Sequence, residues 1–136
     1  MKIVIFLLSI FIFTNSIESK SQSPAKPCSD TTINSNLEKP LIQSSYYKQV
    51  DASQVPGWNT TATDSKIEIW SSGFNGVPAY SGKQFAELNA TQISDLYQDI
   101  CTPCSRTIHW EFAHRGRWGT DVASLEAGPI GGPYTI

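Results

Sequence analysis

The chain has 136 residues, of which 16% are charged, and its formal net charge at pH 7 is −2. This weakly acidic balance excludes the broad basic surface that nucleic-acid binding requires, so we expect no nucleic-acid partner. The length suits a single domain with a modest hydrophobic core.

Residues 1–22 have the layout of a secretory signal peptide. Lys2 provides one positive charge, the unbroken apolar run IVIFLLSIFIF follows, and small polar residues come next. The apolar run is about half of the roughly 20 residues that a membrane-spanning helix needs. We therefore predict cleavage between Ser16 and Gln22, a secreted or cell-surface location, and no membrane span in the mature chain. An uncleaved anchor is the alternative.

The rest of the chain divides into a short leader and one domain. Residues 23–35 are rich in Ser, Pro, Lys and Thr, which predicts a disordered leader. In residues 36–136, Gly and Pro recur at short intervals between apolar or aromatic runs, which is typical of short β-strands joined by turns. The strands predicted from these runs are an edge strand or approach segment in SSYYKQV, then Lys66–Trp70, Gln84–Asn89, Asp95–Cys101, Arg106–His114 and a weaker one at Val122–Glu126.

One segment is also compatible with a helix. In NATQISDLYQDI the apolar residues Ile93, Leu96 and Ile100 have helical spacing. The alternative is a turn at Thr91–Ser94 followed by a strand in LYQDI. The all-β context favours the turn and the strand.

Local sequence divides the four tryptophans into two for the core and two for the surface. Trp110 shares one strand face with the neighbouring Ile and Phe of TIHWEF, which predicts that it is buried. Trp58 follows a Pro-Gly turn that directs its ring back onto the sheet. Trp70 ends its strand at SSGF and Trp118 lies in a glycine-containing turn, so both are expected near a loop surface.

Three cysteines follow the predicted signal peptide. In an exported chain the default state is a disulfide, and we predict that one involves Cys101 or Cys104, paired with each other or with Cys28. The odd count leaves one thiol over, or paired with another chain. The C-x-x-C spacing also occurs in zinc and redox sites, but zinc needs a second pair of ligands, and Pro103 sits in a predicted hairpin loop.

Four sequence blocks carry a family resemblance. VPGW, KIEIWSSGFNGVPAYSGKQFAELN, LYQD and FAHRGRWGTD resemble the signature blocks of a secreted β-sandwich module of bacterial surface and adhesin-like proteins, which is similar to galactose-binding-like jelly-roll domains. The resemblance covers residues 36–132 and implies an all-β antiparallel sandwich with a carbohydrate-binding or adhesion role. The chain departs from the pattern in the loop CTPC and lacks the last strands, so we expect a sandwich that is incomplete at its C-terminus.

The candidate ligand site combines the segment AHRGRWG with one glutamate. Arginine offers a planar fork of donors for carboxylates and vicinal hydroxyls, and tryptophan can stack on the apolar face of a sugar ring. Glu87, if buried, needs a partner such as Arg115 or Arg117, or forms the floor of a pocket. A purely structural role for the same residues is the alternative. The predicted ligand-binding residues are Trp70, Glu87, His114, Arg115, Arg117 and Trp118.

The sequence assigns no metal or catalytic centre. No acidic loop has the fixed spacing of a calcium site, although oxygen ligands for structural calcium are available from Asn36, Glu38, Asp64 and Asp121. No Gly-x-Ser-x-Gly or His-Glu-x-x-His motif occurs. Glu87 and Glu111 could form a glycosidase pair, but a chain of this length leaves few residues to build a substrate cleft. We therefore expect no enzyme activity, no cofactor, and a secreted module that binds a glycan or another extracellular surface ligand. The alternative is a structural or protein-adhesion module without a sugar ligand.

Overall fold

The computed structural model describes residues 6–9, 32–101, 107, 109–116 and 118–128. Within these residues the regular structure is mostly strands, with two short 3₁₀ helices at Ala52–Gln54 and Phe74–Gly76, as the predicted all-β class requires. The strands are β1 (Phe6–Ser9), β2 (Tyr47–Asp51), β3 (Asn59–Thr60), β4 (Lys66–Ser71), β5 (Gln84–Glu87), β6 (Leu96–Tyr97) and β7 (Leu125–Gly128).

The main sheet has three antiparallel strands in the order β2-β4-β5. Tyr47 of β2 lies opposite Trp70 of β4, which in turn lies opposite Phe85 of β5. Each face of the central strand β4 carries both polar and apolar residues, and five of the six residues in KIEIWS are buried. Both faces of the sheet are therefore covered at β4.

The hydrophobic core joins one face of the main sheet to the short antiparallel pair β3–β6. Val50 of β2, Ile67 and Ile69 of β4 and Leu96 of β6 belong to one buried cluster. Trp58, which precedes β3, is buried in the same cluster. The prediction that the Pro-Gly turn directs Trp58 into the core is thus confirmed. Each large apolar side chain buried here contributes about 1.5–3 kcal/mol.

A segment without a strand of its own, residues 33–42, is held by a side chain of the main sheet. The amide nitrogen of the buried Gln84 donates to the carbonyl oxygens of Leu37 (2.5 Å) and Pro40 (2.8 Å). The amide oxygen of the same side chain accepts the N–H of Ile42 (3.0 Å). One buried side chain thus replaces the strand partner that this segment would otherwise need.

The described end of the predicted leader is attached in a similar way. The buried Gln98 side chain accepts the N–H of Ile33 (3.2 Å) and donates to the carbonyl of the same residue (2.8 Å). The indole N–H of Trp58 donates to the carbonyl of Asn34 (2.8 Å). Contacts with the domain therefore extend to Ile33, ahead of the predicted domain boundary.

We expect Gly82→Ala to destabilise the protein more than Gly73→Ala. Both glycines have positive φ (+73° and +89°), so alanine costs about 1–2 kcal/mol at either position. A Cβ at Gly82 would also collide with the carboxylate of Glu38, whereas a Cβ at Gly73 meets open space. That carboxylate accepts the N–H groups of Lys83 (2.7 Å) and Gln84 (3.3 Å), and losing bonds of this charged type adds about 1.5–3 kcal/mol. Urea denaturation measures both variants, and equal unfolding free energies would contradict this account.

Most of the predicted strands are present, with different bounds. Lys66–Trp70 is confirmed in β4, and Gln84–Asn89 is confirmed in β5, which ends at Glu87. The segment SSYYKQV contains the first four residues of β2, which ends one residue later at Asp51 and is an edge strand of the main sheet. In NATQISDLYQDI the turn-and-strand interpretation is confirmed, because residues 91–93 bend and β6 follows. However, β6 covers only two residues of the predicted Asp95–Cys101 strand.

The strand predicted at Arg106–His114 is wrong where the structure describes it. Its described residues form no strand, and Trp110, which was predicted in the core, is 57% exposed. The Trp110 ring instead stacks on that of Phe112, with the ring centroids 5.7 Å apart. Alternation gives a segment two faces, but a strand also needs a neighbouring strand for its backbone hydrogen bonds.

A parallel strand pair joins the two ends of the described chain. Phe6 of β1, within the predicted signal peptide, lies opposite Leu125 of β7. β7 runs to Gly128 and so lies further along the chain than the predicted strand at Val122–Glu126. Removal of the signal peptide stays a prediction. It would eliminate β1, the partner of β7, but the mature chain would still contain every residue of the main sheet and of the β3–β6 pair. Among the described residues, no helix has the length and apolar character needed to cross a bilayer.

Candidate functional site

The face of the main sheet opposite the core carries two rows of side chains. Because directly opposed residues of antiparallel strands share a face, Tyr47, Trp70 and Phe85 form one row, here called the aromatic row. The neighbouring row is polar and consists of Gln49, Glu68 and Glu87.

Glu68 is buried, and its two carboxylate oxygens have different donors. The indole N–H of Trp70 donates to Oε1 (2.6 Å), and the side-chain amide of Gln49 donates to Oε2 (3.1 Å). A buried carboxylate requires such donors, because burial without them is costly. Glu68 therefore links the two rows and orients the Trp70 ring.

A pocket of about 340 Å³ lies on this face. Trp70, Phe85 and Glu87 line it from the main sheet, and residues 77–80 and 113–115 line it from two loops. The lining is otherwise mainly apolar, and its residues with polar or charged side chains include Glu87, His114, Arg115 and Asp121.

The loop after β4 is closed by its own hydrogen bonds and forms one wall of the pocket. The N–H of Gly73 donates to the carbonyl of Val77 (2.8 Å), and the N–H of Ala79 donates to the hydroxyl of Ser72 (3.0 Å). Val77 is buried, which anchors this wall, whereas Tyr80 is largely exposed where it lines the pocket.

A tight reversal brings Asp121 to the same pocket as Arg115. A Cβ on Gly116 would lie 3.0 Å from Oδ2 of Asp121 and 3.2 Å from its backbone nitrogen, and it would collide with the carbonyl of Gly119. A side chain at position 116 would therefore force the two arms of the reversal apart. The first glycine of AHRGRWG has a packing role that places Asp121.

Four of the six predicted ligand-binding residues line the pocket, namely Trp70, Glu87, His114 and Arg115. Trp118 is 88% exposed, as its glycine-containing turn predicted, but it is not among the lining residues. Arg117 lies outside the described residues. The structure thus brings Glu87 and Arg115, which lie far apart in sequence, to one site.

The prediction that Trp70 lies near a loop surface is wrong. Its side chain is only 3% exposed, because β4 is the central strand and rings on both neighbouring strands flank it. Phe74 also packs edge-on against it, with 4.7 Å between the ring centroids. The sequence predicted where the strand ends, but it did not predict the rings that pack against Trp70.

Sequence reasoning did not include Tyr80 or Phe85 among the ligand residues. Phe85 had a signal, since it shares strand parity with Glu87. Tyr80 had none, because it lies in a loop whose path depends on contacts with the sheet. Asp121 was predicted only as a candidate calcium ligand.

Three of the four candidate calcium ligands lie in separate places. Asp64 accepts the hydroxyl of Thr91 (2.6 Å) and the N–H of Lys66 (3.0 Å), and these bonds hold the pKa of Asp64 below its ordinary value. Glu38 binds backbone N–H groups beside β5, and Asp121 lies at the pocket. In the part of the chain that the structure describes, no three His, Cys, Asp or Glu residues cluster as a metal site would need. Structural calcium stays a prediction.

The cysteine predictions fall largely outside the described residues. Cys101 ends a described segment with an exposed side chain, whereas Cys28 and Cys104 lie outside it. The disulfide and its pairing therefore stay predictions.

Comparisons with protein-family models, curated proteins and solved structures found no match to this chain. The resemblance to galactose-binding-like modules therefore rests on the four sequence blocks and stays a proposal. Any inference about function depends on the residues of the pocket itself.

Proposed function

We propose that the protein is a secreted, non-catalytic module that binds a carbohydrate in the pocket on the outer face of the main sheet. The observation that carries this proposal is the convergence of aromatic rings with Glu87, Arg115 and Asp121 in one concave site. Small-molecule sites typically combine an apolar lining with a few polar groups that set the orientation of the ligand. The antiparallel sandwich and its likeness to galactose-binding-like jelly rolls belong to the same proposal.

The amphipathic form of a sugar suits this lining. Its apolar C–H face can pack on the rings of Phe85 and Tyr80. Its hydroxyl groups can accept hydrogen bonds from Arg115 and donate to the carboxylates of Glu87 or Asp121. The pocket volume of about 340 Å³ is near the lower end of the roughly 300–1,000 Å³ that ligand pockets span, which suits one sugar ring.

The proposal that the module is non-catalytic depends on which carboxylates line the pocket. A glycosidase commonly places two carboxyl groups on either side of the bond that it cleaves. The pair of Glu87 and Glu111 is not assembled at the pocket, because Glu111 is exposed and does not line it. Glu87 and Asp121 are the two acidic residues of the lining. If they acted as a catalytic pair, free sugar would be released from a bound glycan, and that result would contradict a purely binding role.

A structural or protein-adhesion module without a sugar ligand is the second candidate. Its support is that Trp70 and Glu68, on the same sheet face, are buried and hydrogen-bonded to each other. Such a pair stabilises the sheet whether or not a ligand binds. The two candidates differ in what the exposed residues of the pocket do.

We expect Arg115→Ala to weaken glycan binding about tenfold or more while leaving stability nearly unchanged. A hydrogen bond to a charged group is worth about 1.5–3 kcal/mol, and each 1.4 kcal/mol is about tenfold in affinity. Arg115 is exposed, so its replacement should change the free energy of unfolding by no more than about 0.5 kcal/mol. The exported chain is screened on a glycan array with and without Ca²⁺, and the best sugar is then titrated by calorimetry.

Lys48→Ala is the matched control for this experiment. Lys48 is also exposed, but it lies on the other face of β2 from the aromatic row, so its removal should leave the affinity unchanged. An array without any bound glycan would favour the protein-adhesion alternative. Equal affinities of Arg115→Ala and the wild type would remove the pocket from the proposal.

A further inference from the structure

Aromatic rings continue beyond the pocket on the outer face of the main sheet. The ring centroids of Tyr47 and Trp70 are 6.3 Å apart, and those of Trp70 and Phe85 are 6.1 Å apart. Tyr46 extends this row, since its ring stacks on Tyr47 at 5.6 Å with 26° between the planes. The ring of Phe74 packs beside this row, with 5.5 Å between its centroid and that of Tyr47. We call these five residues the aromatic strip.

The two ends of the aromatic strip differ in exposure. Phe85 lines the pocket at one end, and the intervening Trp70 is buried. At the other end, Tyr46 and Tyr47 are 54% and 40% exposed. The backbone of Tyr46 is attached to β4, because its N–H donates to the hydroxyl of Ser71 (3.0 Å) and its carbonyl accepts the N–H of Ser71 (3.0 Å). The tyrosine pair is therefore a positioned surface outside the hydrophobic core.

We propose that the pocket holds one unit of a linear glycan and that Tyr46 and Tyr47 hold further units of the same chain, an inference that rests on the carbohydrate function proposed above. The distance from β5 to β2 is two strand spacings, roughly 10 Å, which is more than one sugar ring covers. Each tyrosine offers a flat apolar ring and a hydroxyl, the two features that match an amphipathic sugar. The ligand class is thus an oligosaccharide or polysaccharide, and not a lone terminal sugar.

A protein partner fits the tyrosine pair less well than a glycan chain. Two partly exposed rings supply at most a few hundred Å² of contact, because a whole aromatic side chain buries only about 150–250 Å². A stable protein interface covers about 800 Å² on each partner. A glycan chain, in contrast, is narrow enough to be held by one ring at a time.

The test compares sugars of different length on the exported chain. Glucose, galactose, mannose, xylose and N-acetylglucosamine are each titrated together with the corresponding linear tetrasaccharide. For at least one pair, the tetrasaccharide should bind the wild type about tenfold or more tightly than the monosaccharide. Tyr46→Ala combined with Tyr47→Ala should abolish this gain and leave the monosaccharide Kd within about twofold, which also reports that the pocket is intact.

Two further variants keep the test decisive. Tyr46→Ala alone removes the more exposed ring and leaves the contacts of Tyr47 with Trp70 and Phe74 in place, so it should lose part of the gain even if the double variant folds poorly. Tyr46→Phe should keep most of the affinity gain of the tetrasaccharide over the monosaccharide, because the ring remains. Equal Kd values for the two lengths, or a gain that survives both alanine variants, would overturn the chain-binding inference alone. Failure of every sugar to bind would overturn the carbohydrate function itself.

Discussion

Replacing Trp70 with alanine is expected to lower the free energy of unfolding by about 3–5 kcal/mol, the usual cost of removing a buried aromatic side chain. The ring is 3% exposed and contacts Tyr47, Phe74 and Phe85. Its indole N–H is also a donor to the buried carboxylate of Glu68 (2.6 Å), which would lose that hydrogen bond. A loss of this size is a large fraction of the 5–15 kcal/mol that stabilises a typical domain.

Trp110→Ala is the matched control, since it removes the same side chain from a position that is 57% exposed. We expect it to change the unfolding free energy by no more than about 0.5 kcal/mol. Trp70→Phe should fall between the two, because it keeps a ring in the sheet but removes the donor to Glu68. Chemical denaturation followed by circular dichroism compares all three. A larger loss for Trp110→Ala than for Trp70→Ala would show that the segment around Trp110 packs differently.

Gln84→Leu is the second substitution with a large expected effect, and we expect it to cost at least about 3 kcal/mol. Leucine is similar in size but offers no partner to the carbonyls of Leu37 and Pro40 or to the N–H of Ile42. Each buried backbone group that loses its partner costs about 1–3 kcal/mol, which exceeds what the added apolar surface returns. The change is thus destabilising although it makes the interior more apolar.

Hydrogen exchange distinguishes this mechanism from a general loss of stability. The Ile42 amide of the Gln84→Leu variant should exchange far faster than in the wild type. Amides of the central strand β4 should also exchange faster, but only by the factor that corresponds to the lower free energy of unfolding. Gln43→Leu is the control, because Gln43 directly follows Ile42 at the end of this segment and has an exposed side chain. Unchanged protection of Ile42 in the Gln84→Leu variant would contradict the role assigned to this side chain.

The sequence by itself determined the class of fold and part of the candidate site. The apolar runs between Gly and Pro predicted β4 and β5, because turn residues and the runs that they bound are local features. Strand parity also depends only on neighbouring residues, so it puts Phe85 and Glu87 on one face, and both line the pocket. The Pro-Gly turn before Trp58 correctly predicted its burial, since a tight turn directs the next residue locally.

Only the tertiary structure decided which faces are covered. Trp70 and Trp110 both lie in segments of alternating sequence, yet the first is buried and the second exposed. Alternation shows that a segment has two faces, whereas burial depends on which distant segments pack against them. For Trp70 these are β2, β5 and the ring of Phe74.

The attachment of residues 33–42 was hidden from sequence reasoning for the same reason. Gln84 and Gln98 bind backbone groups more than 40 positions earlier in the chain. Neither glutamine differs locally from one on a solvated strand. The pocket likewise forms where β4 and β5 meet the loop at 77–80, residues 113–115 and Asp121, and no periodic pattern links those stretches. Local sequence specifies strands and turns, but a site assembled from distant segments is specified only by their packing.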